Sequence, residues 1–112
     1  MPHENITKYV TGLGSNGRLF VLLHTRSRKG KRAEVFRFCL EYRAHVEGRW
    51  RKVVRYDNSH GIPHRHAFGW YGEIGEPTVL GRFEDSARIF NENRDRILKE
   101  YGGLKERFLL SK

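Results

Sequence analysis

The sequence predicts an α+β domain: an antiparallel β-meander sheet with one face packed against a C-terminal helix. Residues 35–46 alternate apolar and polar side chains with a period of two. Residues 84–101 place apolar side chains at helical spacing, and the strand-like segments all come before them. Antiparallel strands can follow one another through short turns, so this order needs no crossover helices. At 112 residues the chain suits a single domain, 1–112, with one hydrophobic core.

Taken in order, residues 7–11 (T-K-Y-V-T) read as a short strand. The turn G-L-G-S-N-G follows, matching G-x-G-x-x-G at Gly12, Gly14 and Gly17. A dinucleotide fingerprint requires a helix to open after the glycines. Here the apolar run Leu19 to Leu23 follows, and Asn16-Gly17 is a hairpin signal, so a turn between strands is expected. In the next strand Phe36, Phe38, Leu40, Tyr42, Ala44 and Val46 share one face, and Arg37, Cys39, Glu41, Arg43 and His45 the other. Residues 50–57 follow, with Trp50, Val54 and Tyr56 on a face that Lys52 interrupts. A three-residue loop, Glu47 to Arg49, would pair Val46 with Trp50, Tyr42 with Val54 and Leu40 with Tyr56, and set Glu41 against Arg55. A two-residue loop would mix the faces, so the longer loop is expected.

Residues 64–71 form the next strand, with His64, His66, Phe68 and Trp70 in phase. Trp50, Phe68 and Trp70 are expected in the core, and Tyr71 on the surface. A short apolar piece, T-V-L, precedes the helix. Asp85 or Ser86 is the expected cap, and Phe83, Ala87, Phe90, Ile97, Leu98 and Tyr101 form the apolar stripe. Arg94 interrupts that stripe and is expected under the sheet edge. Gly102-Gly103 is expected to end the helix, leaving a tail that suits a strand or a short helix.

Composition narrows the functional classes. Twenty-two Lys and Arg against 13 acids give a net charge of +9. A small domain this basic attracts polyanions, which makes RNA, other nucleic acid or an acidic protein the expected partner. The single cysteine, Cys39, excludes an internal disulfide and four-cysteine zinc modules. No apolar run approaches the roughly 20 residues of a membrane span, and no signal-peptide layout opens the chain, so a soluble, cytoplasmic protein without membrane contact is expected.

The chemistry-bearing segment is R-Y-D-N-S-H-G-I-P-H-R-H, residues 55–66. In a strand His64 and His66 point to the same side while Arg65 faces away. Pro63 stiffens the turn before them, and Asp57, Asn58, Ser59 and Gly61 are turn formers that bring Asp57 and His60 close. Three uses fit this pattern. His64 and His66 with His60 or Asp57 could ligate zinc or manganese. An imidazole base and an imidazole acid, with Arg55, Arg65 or Arg94 against the charge at phosphorus, could cleave RNA without metal or other cofactor. The residues could also simply close a hairpin by hydrogen-bonding its backbone. A second basic feature, T-R-S-R-K-G-K-R at residues 25–32, links two strands and offers Arg26, Arg28, Lys29, Lys31 and Arg32 for phosphate contact, with Arg65 as a further candidate.

The segment V-V-R-Y-D-N-S-H-G-I-P-H-R-H, residues 53–66, resembles the small TumE-like proteins, grouped as toxins of prokaryotic type II toxin–antitoxin systems. Those proteins carry an R-Y-D-N-x-H-G-x-P-H-x-H type block between two strands, followed by a C-terminal helix. The resemblance implies a growth-inhibiting protein neutralised by an antitoxin, and it points to Arg55, Asp57, His60, His64 and His66. It supplies no established reaction, and the basic loop at 25–32 has no match in that pattern. The expectation is therefore a toxin-like protein that cleaves RNA by histidine acid–base chemistry. The alternative is a non-catalytic module that binds nucleic acid or an antitoxin, its histidines structural.

Overall fold

The computed structural model describes residues 3–27 and 30–112. Its strands are β1 (His3–Gly12), β2 (Gly17–Ser27), β3 (Glu34–Val46), β4 (Arg49–Asp57), β5 (His64–Gly69), β6 (Gly72–Glu73) and β7 (Thr78–Val79). A 3-10 turn, Phe83–Asp85, leads into α1 (Ser86–Leu110). The sheet order is β1-β2-β3-β4-β5-β6, with β7 pairing the other half of β5's edge. Every pairing is antiparallel. The expected meander with a helix on one face is what forms.

The helix covers β3, β4 and β5. Leu19, Val21, Phe38, Leu40, Tyr42, Ala44, Val53, Val54 and Tyr56 are buried beneath it, against Ile89, Phe90, Ile97 and Phe108. The opposite face of the sheet has no covering element among the described residues. The glycine-rich segment closes the β1–β2 hairpin and no helix follows it. A Cβ on Gly17 would collide with the Leu13 carbonyl oxygen, held close because the Gly17 carbonyl accepts the Leu13 amide at 2.8 Å. That crowding explains the glycine without a nucleotide.

The β3–β4 hairpin corrects one expectation. Val46 pairs with Arg49, so the loop is the two-residue turn Glu47-Gly48, with φ of 51° and 76° as a type I′ turn requires. The extra residue sits further along, where the register shifts beside Tyr42 and leaves Val53 as a β-bulge. Beyond it Tyr42 pairs with Val54, Leu40 with Tyr56 and Glu41 with Arg55, as expected. The bulge also explains Lys52: before it Trp50 and Lys52 face the open side, and after it Val54 and Tyr56 face the helix. Trp50 is accordingly exposed rather than in the core.

Two further expectations are corrected. The helix runs through Gly102-Gly103 to Leu110, because Leu104 and Phe108 carry the apolar stripe on to the sheet and tertiary contacts outweigh the cost of two glycines. Phe68 stays on the open face, where the Lys52 ammonium stands 5.8 Å from its ring centre. Trp70 does reach the core, but only because β5 stops at Gly69 and the turn swings the indole onto Phe108. Tyr71 is exposed as expected. Arg94 lines a groove with Tyr9, Thr11 and Leu19, under the β1–β2 edge. Among the described residues no helix is long and apolar enough to cross a membrane.

Candidate functional site

The block at residues 55–66 separates into a scaffold and an open-face cluster. Tyr56 is buried under the helix. Asn58 is 3% exposed and replaces a rung of the β3–β4 ladder. Its Oδ1 accepts the Phe38 amide at 2.8 Å, while its Nδ2 donates to Ser86 Oγ at 3.2 Å and to the Phe36 carbonyl at 3.4 Å. The turn is thereby tied both to β3 and to the start of α1. Gly61 has φ of 86°, and buried Pro63 accepts the Leu80 amide at 2.9 Å. These groups aim β5 so that its first outward residue stands opposite Asp57.

On the open face Asp57 pairs with His64 and Arg55 with His66 in the strand register. Asp57, 5% exposed, receives Arg55 Nε at 2.9 Å, the Ser59 hydroxyl at 2.9 Å and the Ser59 amide at 3.2 Å. Burial alone would raise its pKa, but the Ser59 hydrogen bonds, Arg55 and His66 together outweigh that and hold the carboxyl below its ordinary range. His66 Nε2 lies 3.5 Å from Asp57 Oδ2, and its Nδ1 lies 3.2 Å from Glu73 Oε1. An imidazolium can donate to both carboxylates; a neutral ring can donate to one. The His64 and His66 ring centres are 6.4 Å apart.

Glu41 extends the cluster. It is 6% exposed, bonded to Arg43 Nε at 2.6 Å and within 4.0 Å of Lys52 and Arg55. Charges of alternating sign thus run Arg43, Glu41, Arg55 and Asp57 across the strands, with the His66 ring between Asp57 and Glu73. Cys39 faces Asp57 across the β3–β4 ladder; burial, Asp57 and Glu41 push its thiol up to about 11, so it is no nucleophile at neutral pH.

Of the residues singled out in the sequence, Arg55, Asp57, His64 and His66 come together. His60 is exposed at the turn. Arg65 faces the helix side with Tyr56, its Nε buried and without a partner among the described residues, so it cannot share a phosphate with His64 and His66. Arg26 is held by Glu4 at 2.8 Å and lies over the Phe36 ring; Lys31 and Arg32 are exposed beyond the sheet. Arg28 and Lys29 lie outside the described residues. Glu41, Asn58 and Glu73 escaped the sequence reading. Glu41 left a trace as the expected partner of Arg55, and Asn58 as one of the turn formers. Among the described residues no three His, Cys, Asp or Glu side chains converge as a metal site.

A family model for a domain of unknown function, DUF7718, matches residues 1–109. The chain belongs to the DUF7718 family. No curated protein and no solved structure matches it.

Proposed function

We propose that this DUF7718 protein acts on RNA as a toxin-like nuclease, with His64 and His66 as its acid–base pair. The supporting observation is that two imidazoles stand side by side on an open sheet face, with one of them oriented by a buried, ionised carboxylate beside a guanidinium. His64 takes the proton of a ribose 2′-hydroxyl, and the 2′-oxygen attacks the adjacent phosphorus. The bond from phosphorus to the 5′-oxygen breaks, and His66 gives its proton to that leaving oxygen. A 2′,3′-cyclic phosphate and a 5′-hydroxyl result. Asp57 keeps its hold on Nε2 while the partly exposed Glu73 moves aside to free Nδ1. Arg55 offsets charge at phosphorus. The resemblance of residues 53–66 to TumE-like toxins supports the same reading, and a net charge of +9 suits neutralisation by an acidic antitoxin.

The test is cleavage of a short single-stranded RNA by the purified protein, with the product termini identified. Wild type should cut and leave a cyclic phosphate, and His64→Ala or His66→Ala should slow cutting by about 100-fold or more. A 2′-deoxy linkage at the cut site should resist. Uncut RNA, or cutting that survives both substitutions, would refute the reading. A non-catalytic binding module is the second reading, favoured because both ring nitrogens of His66 already face carboxylates. On that reading RNA is bound intact, and the histidine variants bind like wild type.

A further inference from the structure

The same open face carries a second outward row, one step along from Glu41, Arg55 and His66. Arg18, Arg43 and Lys52 are successive cross-strand partners on β2, β3 and β4. Neighbouring strands lie about 4.8 Å apart, so the row sets three cations side by side. Like charges opposed in this way repel, and of these three cations Glu41 reaches Arg43 and Lys52. Each cation also stands over a ring: Arg18 lies 4.1 Å from the centre of Trp50, Arg43 4.3 Å from Phe20, and Lys52 5.8 Å from Phe68. Trp50 is 38% exposed although it is large and apolar. The β-bulge at Val53 is what turns Trp50 and Lys52 to this side.

We infer that Arg18, Phe20, Arg43, Trp50 and Lys52 form a platform for single-stranded RNA, which leads the strand to His64 and His66. The inference rests on the RNA reading of the histidine site and names its substrate as unpaired RNA. Guanidinium planes and indole faces stack on bases, and a row of cations follows a phosphate backbone. A duplex hides its base faces inside its own stack and offers the platform only phosphates. Arg43 bonds Glu41, whose cross-strand partner is Arg55, whose partner in turn is His66. The row of Arg43 and Lys52 lies about 7 Å, one residue pair of strand rise, from the row of His66, and the row of His64 is one pair further, so a strand held on the platform reaches the imidazoles along the sheet.

Fluorescence anisotropy with a labelled RNA of mixed sequence, single-stranded or annealed to its complement, tests this. The protein carries His64→Ala and His66→Ala so that the probe stays intact. Adding Arg18→Ala and Trp50→Ala should weaken single-strand binding by about tenfold or more. Adding Arg96→Ala and Lys99→Ala, which removes two exposed helix cations, should weaken it a few-fold at most. Trp50→Phe, which keeps a ring, should retain most of the affinity, and thermal melting confirms that each variant is folded. Equal losses from the two double substitutions, or a duplex bound as tightly as the single strand, would overturn the platform. Cleavage by the otherwise wild-type protein is scored separately. Binding with the expected pattern but no cleavage leaves the platform and removes the acid–base chemistry; cleavage with affinity untouched by Arg18→Ala and Trp50→Ala does the reverse.

Discussion

Asn58→Ala separates the scaffold of the histidine block from its chemistry. In the wild type Oδ1 takes the amide of Phe38, a residue with 0% exposure, so that donor has no access to water when the side chain is cut back. A buried amide left unpaired costs about 1–3 kcal/mol. The Nδ2 bonds to Ser86 and Phe36 are lost as well, and each ordinary hydrogen bond contributes about 1 kcal/mol net. Because the longer bond to Phe36, at 3.4 Å, counts for little, the sum is about 3 kcal/mol. For a chain of 112 residues 1 kcal/mol moves Tm by about 4 °C, so Asn58→Ala should lower it by about 12 °C. Thermal and urea unfolding followed by circular dichroism measure this, and hydrogen exchange should show faster exchange of the Phe38 amide. Asn58→Asp keeps the acceptor for that amide but loses the donors, so it should destabilise while leaving Phe38 better protected than in Asn58→Ala. Ser86→Ala should cost about 1 kcal/mol, since Phe36 still takes the amide. A fall in Tm below about 4 °C for Asn58→Ala, with Phe38 exchange unchanged, would show the reasoning to be wrong.

Other outcomes follow from the same geometry. The Asp57 pKa is depressed in the folded protein, so its contribution to stability is present above the ordinary carboxylate value and is lost as pH falls through the folded value. Tm measured below about pH 4 should therefore fall less steeply in Asp57→Asn than in wild type, and parallel curves would contradict this. With its thiol pushed up to about 11 from 9.0, Cys39 should be alkylated by iodoacetamide at pH 8 roughly 100-fold more slowly than an unperturbed thiol; a rate like that of free cysteine would refute its assigned environment. Glu47 carries a positive φ of 51° in the β3–β4 turn, so Glu47→Asn should raise Tm by about 2–4 °C. The exposed Glu47–Lys112 pair that it removes contributes little, and an unchanged or lower Tm would mean that the turn bears no such strain.

The sequence alone was enough to read the meander and the helix, because burial on one face imprints a period of two or of 3.6 on the order of residues. Residues 35–46 are the clearest case, and the pairing of Glu41 with Arg55 followed from them. The turn at Glu47-Gly48 was misread for a physical reason: a bulge and a longer loop each add one residue and give the same register beyond it. Lys52, out of phase with Val54, was the visible sign of the bulge. The end of α1 was misread at Gly102-Gly103 because helix-breaking tendency is local, whereas the contacts of Phe108 that outweigh it are not.

The candidate site divides along the same line. That His64 and His66 share a side, and that Arg65 does not, follows from strand geometry and needed no coordinates. The sequence reading put that side with Phe68 and Trp70 on the core face; the helix packs against the other side, so the imidazoles stand on the open face. The partners of His66 come from β4 and β6, and the row Arg18, Arg43 and Lys52 draws on three strands. Residues far apart in sequence acquire one chemistry only when backbone hydrogen bonds set their strands in register, so the histidine motif was written in the chain while its carboxylates and its cation row were decided by the fold.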